Sequence, residues 1–208
     1  ANIAGSVFAF ILNIVLLSIG GATAVAAMSV VMYAESIASA VIIGACESLQ
    51  PAISYCQGAG LKERVIALEK RILFFAAALS LMACLLLRFC GGFIVPLFIK
   101  PGDTELLHLS IHAMKIYSLS YLVNWIDGCL SAFLTALGKA GRSFVLSITG
   151  TLILPLASLA VLVPNLGFDG VCYMPLFAGA VNGILSLILV LTIKRELEDE
   201  TNGNKIAQ

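Results

Sequence analysis

Three carboxyl groups lie in stretches of this chain that are otherwise almost entirely apolar. Glu35 and Glu47 fall in the run 24–55, and Asp127 falls in the run 109–137. A charged carboxylate at the centre of a bilayer costs about 3 kcal/mol or more, so each is expected to face a bundle interior or water, or to be protonated. A carboxyl held that way can exchange a proton for a cation. The structural alternative is a carboxyl that only hydrogen-bonds across helices, and for Glu47, near the end of its run, contact with interfacial water would be enough. His108 and His112 are spaced i, i+4, a spacing that puts two imidazoles on one helix face as a metal site would need. With no carboxylate or Cys clearly on that face, they are expected to line the start of their span. Trp125, the single Trp, suits either stacking on an aromatic cation or packing within a bundle.

The polar residues around these carboxyls keep helical register. Ser29, Glu35, Ser36, Ser39, Cys46, Glu47, Gln50 and Ser54 fall within roughly a third of one helix circumference. Tyr117, Ser120, Tyr121, Asn124, Asp127, Gly128, Ser131 and Thr135 gather on one face of a second helix, whose other sides carry Leu119, Leu122, Val123, Ile126, Leu130, Phe133 and Leu134. Asn2, Ser6 and Asn13 share a face of a third. The candidate pathway residues are therefore Asp127, Glu35, Glu47, Asn124, Gln50, Tyr121, Tyr117 and Ser131. They run the length of helices rather than clustering at one depth, which favours a pathway over a reaction centre. No HExxH or GxSxG occurs, and Gly138-Lys139 lacks the upstream glycine of a phosphate loop. The reading is of a protein that is not an enzyme and has no resident metal or cofactor.

The elements that must position these groups are membrane spans. Of 208 residues 60% are hydrophobic and 12% charged, and the mean hydropathy is +1.04, far from globular usage. Crossing about 30 Å of hydrocarbon takes roughly 20 helical residues. Stretches long enough are read at 3–19, 24–55, 72–95, 109–137, 143–163 and 171–193, so the fold class is all-α, a polytopic six-helix transmembrane bundle occupying 1–195, with a charged, disordered cytoplasmic tail at 196–208. The first span begins without Met or a basic leader, so the chain is expected to be a piece of a longer one. Nine of the twelve Lys and Arg (Lys62, Arg64, Lys70, Arg71, Lys139, Arg142, Lys194, Arg195 and Lys205) lie on one side of such a bundle. The positive-inside rule places both termini in the cytoplasm.

Smaller features follow the same logic. Pro155 and Pro175 fall within spans five and six, where they bend or break transporter helices. Gly179 and Gly183 form a GxxxG pair beside Asn182, read as a close-packing face. Gln50-Pro51 is expected to shape the end of span two, since proline removes a helix donor. The six cysteines (Cys46, Cys56, Cys84, Cys90, Cys129, Cys172) contain no CxxC pair and are expected to pack as small apolar residues rather than form disulfides. The net charge is zero, and the basic residues are spread over loops without an aromatic pattern, which gives no reason to expect a nucleic-acid partner.

Several stretches together resemble the second half of a MATE (multidrug and toxic compound extrusion) transporter: "GGATAVAAMSVVMYAES", "GACESLQPAISYCQGAG", "LKERVIALEKR", "PLFIK" with "PGDTELL", and "SAFLTALGKAGRS". The resemblance spans essentially all but the acidic tail. "QPAISYCQGAG" is its most specific piece, with Cys56-Gln57 in place of the Asn-Tyr often seen there, and "ALGKAGR" is a second match. The resemblance implies two six-helix lobes facing each other in a V, of which this chain is the C-terminal one. It implies export of cationic drugs across the cell (plasma) membrane, driven by H⁺ or Na⁺ as the coupling ion, with the missing N-terminal lobe and the lipid bilayer as partners. An acidic residue on the family's tenth helix is matched by Asp127 or by Asn124, one turn away. The alternatives are a lipid-linked sugar flippase of the same superfamily and a membrane-embedded lipid-modifying enzyme.

Overall fold

The protein is seen here in a computed structural model that describes residues 2–100, 102–138 and 140–206. The side chains of Asn2, Lys62, Lys139, Lys194, Arg195 and Lys205, cited above for face or charge, lie outside the described residues. Helix α1 covers Asn2–Ser48, α2 Gln50–Gly58, α3 Lys62–Ile94, α4 Thr104–Tyr117, α5 Tyr121–Ala136, α6 Ala140–Ile148, α7 Leu154–Leu166 and α8 Phe168–Ile206. Three short irregular turns join some of them: 3₁₀ turns at Val95–Leu97 and Ser118–Ser120, and a π turn at Thr149–Ile153. Among the described residues all regular structure is helical. Helix α8 continues to Ile206, whereas the sequence reading expects an irregular tail from 196; Glu196, Leu197, Glu198 and Glu200 are good helix formers.

The six expected spans are found as six helical rods. Among the described residues, four stretches are long and apolar enough to cross a membrane: Ile3–Gly58, Glu63–Leu97, Gly141–Leu166 and Phe168–Thr192. The first is 56 residues long, which at about 1.5 Å per residue would exceed twice the hydrocarbon thickness if straight. It does not run straight. Gly20 and Gly21 leave the helical conformation, with Gly21 at φ 62 and ψ −153, and they divide α1 into spans one and two. The remaining span is α4 with α5. It carries too many polar residues to stand out by hydropathy, and the Ser118–Ser120 turn joins its halves.

The backbone around the Ser118–Ser120 turn is covered by side chains, as a hydrocarbon environment requires. Ser118 Oγ donates to the Lys115 carbonyl at 2.9 Å, and Arg88 Nη1 donates to the same oxygen at 3.0 Å. Just beyond the turn, the buried Ser80 hydroxyl of α3 donates to the Tyr121 carbonyl. Pro51 stands in the first turn of α2, where its missing N–H removes no helical bond, so Gln50-Pro51 does restart the helix at the end of span two. Ser54 then ties α2 to the end of α5 through the Ala136 carbonyl at 3.1 Å.

The core falls into two clusters. The larger draws Leu16, Met28, Val31, Cys84, Met114, Val171 and Cys172 from five of the spans. The smaller, at the end of the bundle where α2 and α6 lie, holds Ile53, Leu130, Phe133, Leu134 and Leu146. Outside them the surface is apolar: Phe10, Phe74, Phe89, Phe93 and Ile188 are more than half exposed. On a soluble protein such a surface would aggregate; here it is the face offered to lipid or to another lobe.

Gly21 sits in backbone space that is essentially closed to residues with a Cβ. Gly21→Ala is expected to destabilise the protein by about 1–3 kcal/mol, read as a lower thermal-unfolding midpoint in detergent. Gly44, in the middle of a helix with open space around it, is the control: Gly44→Ala should be neutral or stabilising by up to about 1 kcal/mol.

Candidate functional site

One half-open cavity of about 460 Å³ lies between the spans, lined from α1, α3, α4, α5, the π turn, α7 and α8. That is the size of a small-molecule site. Its polar lining forms two groups. The first centres on Glu35 of span two: Ser39, one turn on, donates to Glu35 Oε1, and Tyr121 of α5 donates its hydroxyl to the Glu35 carbonyl at 3.1 Å. Tyr117 and Ser80 complete it. The second centres on Asp127 of α5, whose Oδ1 accepts from Ser186 Oγ of α8 at 2.8 Å. Ser186 also donates to the Asn182 carbonyl, one turn back, at 2.8 Å.

Two glycines let this second group close up. A Cβ on Gly150 would collide with the Asn182 amide and come within 3.3 Å of Asp127 Oδ2. A Cβ on Gly179 would collide with Asn124 Oδ1. The GxxxG face of α8 is thus a packing face, with Gly183 in ordinary contact with Ile126 of α5, and one of its glycines also makes room for a polar side chain at the cavity. Gly150 belongs to the π turn, which precedes Pro155. That proline has no N–H to offer the carbonyl of Thr151, four residues back, and a widened turn is how a helix accommodates the loss. Both Thr151 and Pro155 line the cavity, as does Pro175.

The cavity therefore gathers five of the eight candidate residues: Asp127, Glu35, Asn124, Tyr121 and Tyr117. Glu47 is exposed and outside it, and Gln50 is half-buried at the start of α2, also outside. Ser131 bonds elsewhere: its hydroxyl meets Ser143 Oγ at 2.9 Å, Thr135 Oγ1 meets the same oxygen at 3.0 Å, and this knot fastens α5 to α6. Trp125 lines the cavity and anchors its indole N–H on the Leu122 carbonyl at 3.1 Å. The sequence reading missed Asn182 and Ser186 as site residues. Their i, i+4 spacing in an apolar span was the available signal.

Two further expectations are corrected. Cys46 and Cys129, 83 residues apart, are joined as a disulfide with Cα atoms 5.4 Å apart; they face each other from spans two and four, a proximity no linear spacing reveals. Cys56, Cys84 and Cys172 are free and buried, as expected. The second correction concerns His112, which does meet a carboxylate. Asp169 at the start of α8 lies 2.9 Å from His112 Nε2, tying α4 to α8 at the bundle surface, where such a pair contributes roughly 0–1 kcal/mol.

Removing the hydroxyl that serves Asp127 should cost stability. Ser186→Ala is expected to lower it by about 1–3 kcal/mol, the range for a hydrogen bond to a carboxylate in a buried site. Thr192→Ala, which loses only an exposed bond to its own helix at Ile188, should stay within about 0.5 kcal/mol of wild type. Thermal unfolding of the two variants side by side is the measurement.

Comparison with known proteins agrees with this architecture. The family model MatE matches residues 1–159. The fold is similar to an outward-facing structure of a multidrug resistance MATE family transporter of the MOP superfamily, with TM-score 0.88, 18% identity, and coverage of 95% of this chain and 44% of that one. It is similar to a crystal structure of MATE in complex with MaL6, with TM-score 0.89, 18% identity and the same coverage. An inward-facing structure of a multidrug resistance MATE family transporter gives TM-score 0.84 at 18% identity, over 94% of this chain and 45% of that one. No curated protein sequence matches the chain significantly. The chain thus spans less than half the length of these solved transporters. With a family model covering three quarters of its length, and the same fold in solved MATE transporters over 95% of it, this chain belongs to the MatE family.

Proposed function

We propose that this chain is the second lobe of a cation-coupled exporter of organic cations, working at the cell membrane with both of its ends in the cytoplasm. The observation that carries the reading is the one cavity that brings Glu35 of span two and Asp127 of span four together with Tyr117, Tyr121, Asn124 and Trp125. Two carboxyls beside aromatic rings attract an organic cation by charge and by cation–π contact. No Lys or Arg stands among the described lining residues, which supports a cationic substrate over the anionic headgroup of a lipid-linked sugar.

Coupling follows from competition. A proton or Na⁺ taken up by either carboxyl weakens its hold on a cationic substrate, and the substrate weakens the hold on the ion by the same factor, as linkage requires. Release on one side and recapture on the other needs the cavity to face each side in turn, by rocking of this lobe against a partner lobe. The similarity of this one fold to both outward- and inward-facing relatives supports a lobe that moves largely as a unit. The basic loops beside α2 and α6 support the cytoplasmic placement of that end.

The test is energised efflux of a fluorescent organic cation from vesicles carrying the full-length protein, with H⁺ and Na⁺ gradients imposed separately. Asp127→Asn and Glu35→Gln should each lower efflux at least tenfold while leaving insertion intact, and Glu47→Gln should transport at close to the wild-type rate. Unchanged efflux in the first two variants would remove the carboxyls from the mechanism. Whichever gradient drives the wild type names the ion.

A further inference from the structure

The Cys46–Cys129 bond has no part in the mechanism above, yet it sits beside the cavity. Cys46 is among the lining residues and Cys129 is two residues beyond Asp127. Both are nearly fully buried within the lobe, at 2% and 1% exposure. Next to Cys129 stands Gly128, also lining the cavity, where even a Cβ would meet nothing within 4 Å. Cys46 itself borders the space that a small molecule in the cavity would occupy. The other four cysteines, Cys56, Cys84, Cys90 and Cys172, are free.

We propose that Cys46 and Cys129 form a thiol–disulfide exchange site, served by low-molecular-weight thiols and disulfides that enter the cavity, and that the closed bond locks span two to span four. The chemistry balances without a further reactant. The thiolate of a small thiol attacks Cys46 Sγ, the protein S–S bond breaks, and Cys129 leaves as a thiolate that takes up a proton. A second small thiol attacks the mixed disulfide on Cys46, freeing a small disulfide and leaving two protein thiols. Closure is the same sequence in reverse, with a small disulfide as the oxidant.

The mechanical consequence comes from where the bond lies. Spans two and four are already tied by the Tyr121 hydroxyl on the Glu35 carbonyl, eleven residues, or about three helical turns, before Cys46. A disulfide confines its Cα atoms to within about 6.8 Å, so the closed bond holds the two helices together at both levels. Reduced, the cysteines are two small apolar side chains that pack but do not tether. Because the same two spans carry Glu35 and Asp127, the closed bond also fixes the spacing of the cavity walls; its effect on transport rests on the proposed function, whereas the exchange itself does not.

The full-length protein in lipid nanodiscs would be treated with oxidised glutathione or with dithiothreitol, blocked with N-ethylmaleimide, digested and mapped by mass spectrometry. Oxidised glutathione should yield a linked peptide pair containing Cys46 and Cys129, and dithiothreitol should leave both carrying the maleimide. Separate labelling of both after oxidation, or a link that resists dithiothreitol in the folded protein, overturns the exchange site. Hydrogen exchange on the same two samples reads the lock: deuterium uptake in residues 35–48 and 121–136 should fall at least twofold in the bonded form, and equal uptake overturns it. In vesicles, the reduced wild type should export at least threefold faster than the bonded form, with Cys46→Ser and Cys129→Ser insensitive to either treatment. Equal rates in a wild type that does transport, with the bond verified by mass, overturn the link to transport.

Discussion

A carboxyl in the interior of a membrane protein must not face lipid, and the architecture of this chain follows from that constraint. Glu35 and Asp127 lie on different spans, each embedded in apolar sequence, and each is turned inward toward one cavity. There each finds a hydroxyl one contact away: Ser39 for Glu35, Ser186 for Asp127. The outer surface is left to Phe10, Phe74, Phe89, Phe93 and their neighbours, residues with nothing to lose in hydrocarbon. An apolar exterior over an apolar core leaves the polar groups gathered at one cavity inside a chain that is 60% hydrophobic.

A cavity of that kind requires helices that do not run as straight, evenly packed rods. Two of the breaks in this bundle border it. The 3₁₀ turn at Ser118–Ser120 lies between Tyr117 and Tyr121, two of the lining aromatics. The π turn at Thr149–Ile153 brings Gly150 against Asn182 and Asp127, and Pro155 and Pro175 line the wall. Freed backbone groups in hydrocarbon cost several kcal/mol each, so such breaks persist only where water or polar neighbours serve them. The breaks at Gly20-Gly21 and Val95–Leu97 lie away from the cavity and serve instead to end spans.

The spans were legible in the sequence because hydropathy over twenty residues is a local property, and the glycine pair at 20–21 marked the first break. The site was half legible. Helical register put Glu35 and Asp127 on polar faces, but the same stripe carried Glu47, exposed at the last turn of α1, and Gln50, which opens α2 beyond the cavity. Ser131 shared a face with Asp127 and was claimed instead by Ser143 of α6. Asn182 and Ser186 become site residues only when α8 packs on α5. The Cys46–Cys129 pairing across 83 residues depends likewise on which helices face each other at one depth, and a single sequence carries no record of that.

The proposed coupling requires Glu35 and Asp127 to act together on one cation. Isothermal titration of the purified full-length protein with tetraphenylphosphonium, in weakly buffered solution with and without Na⁺, measures this most directly. Competition is expected: binding that releases protons or is displaced by Na⁺, with affinity at least tenfold weaker in the Glu35→Gln, Asp127→Asn double variant. Equal affinity in wild type and double variant, with no proton release and no effect of Na⁺, would contradict it.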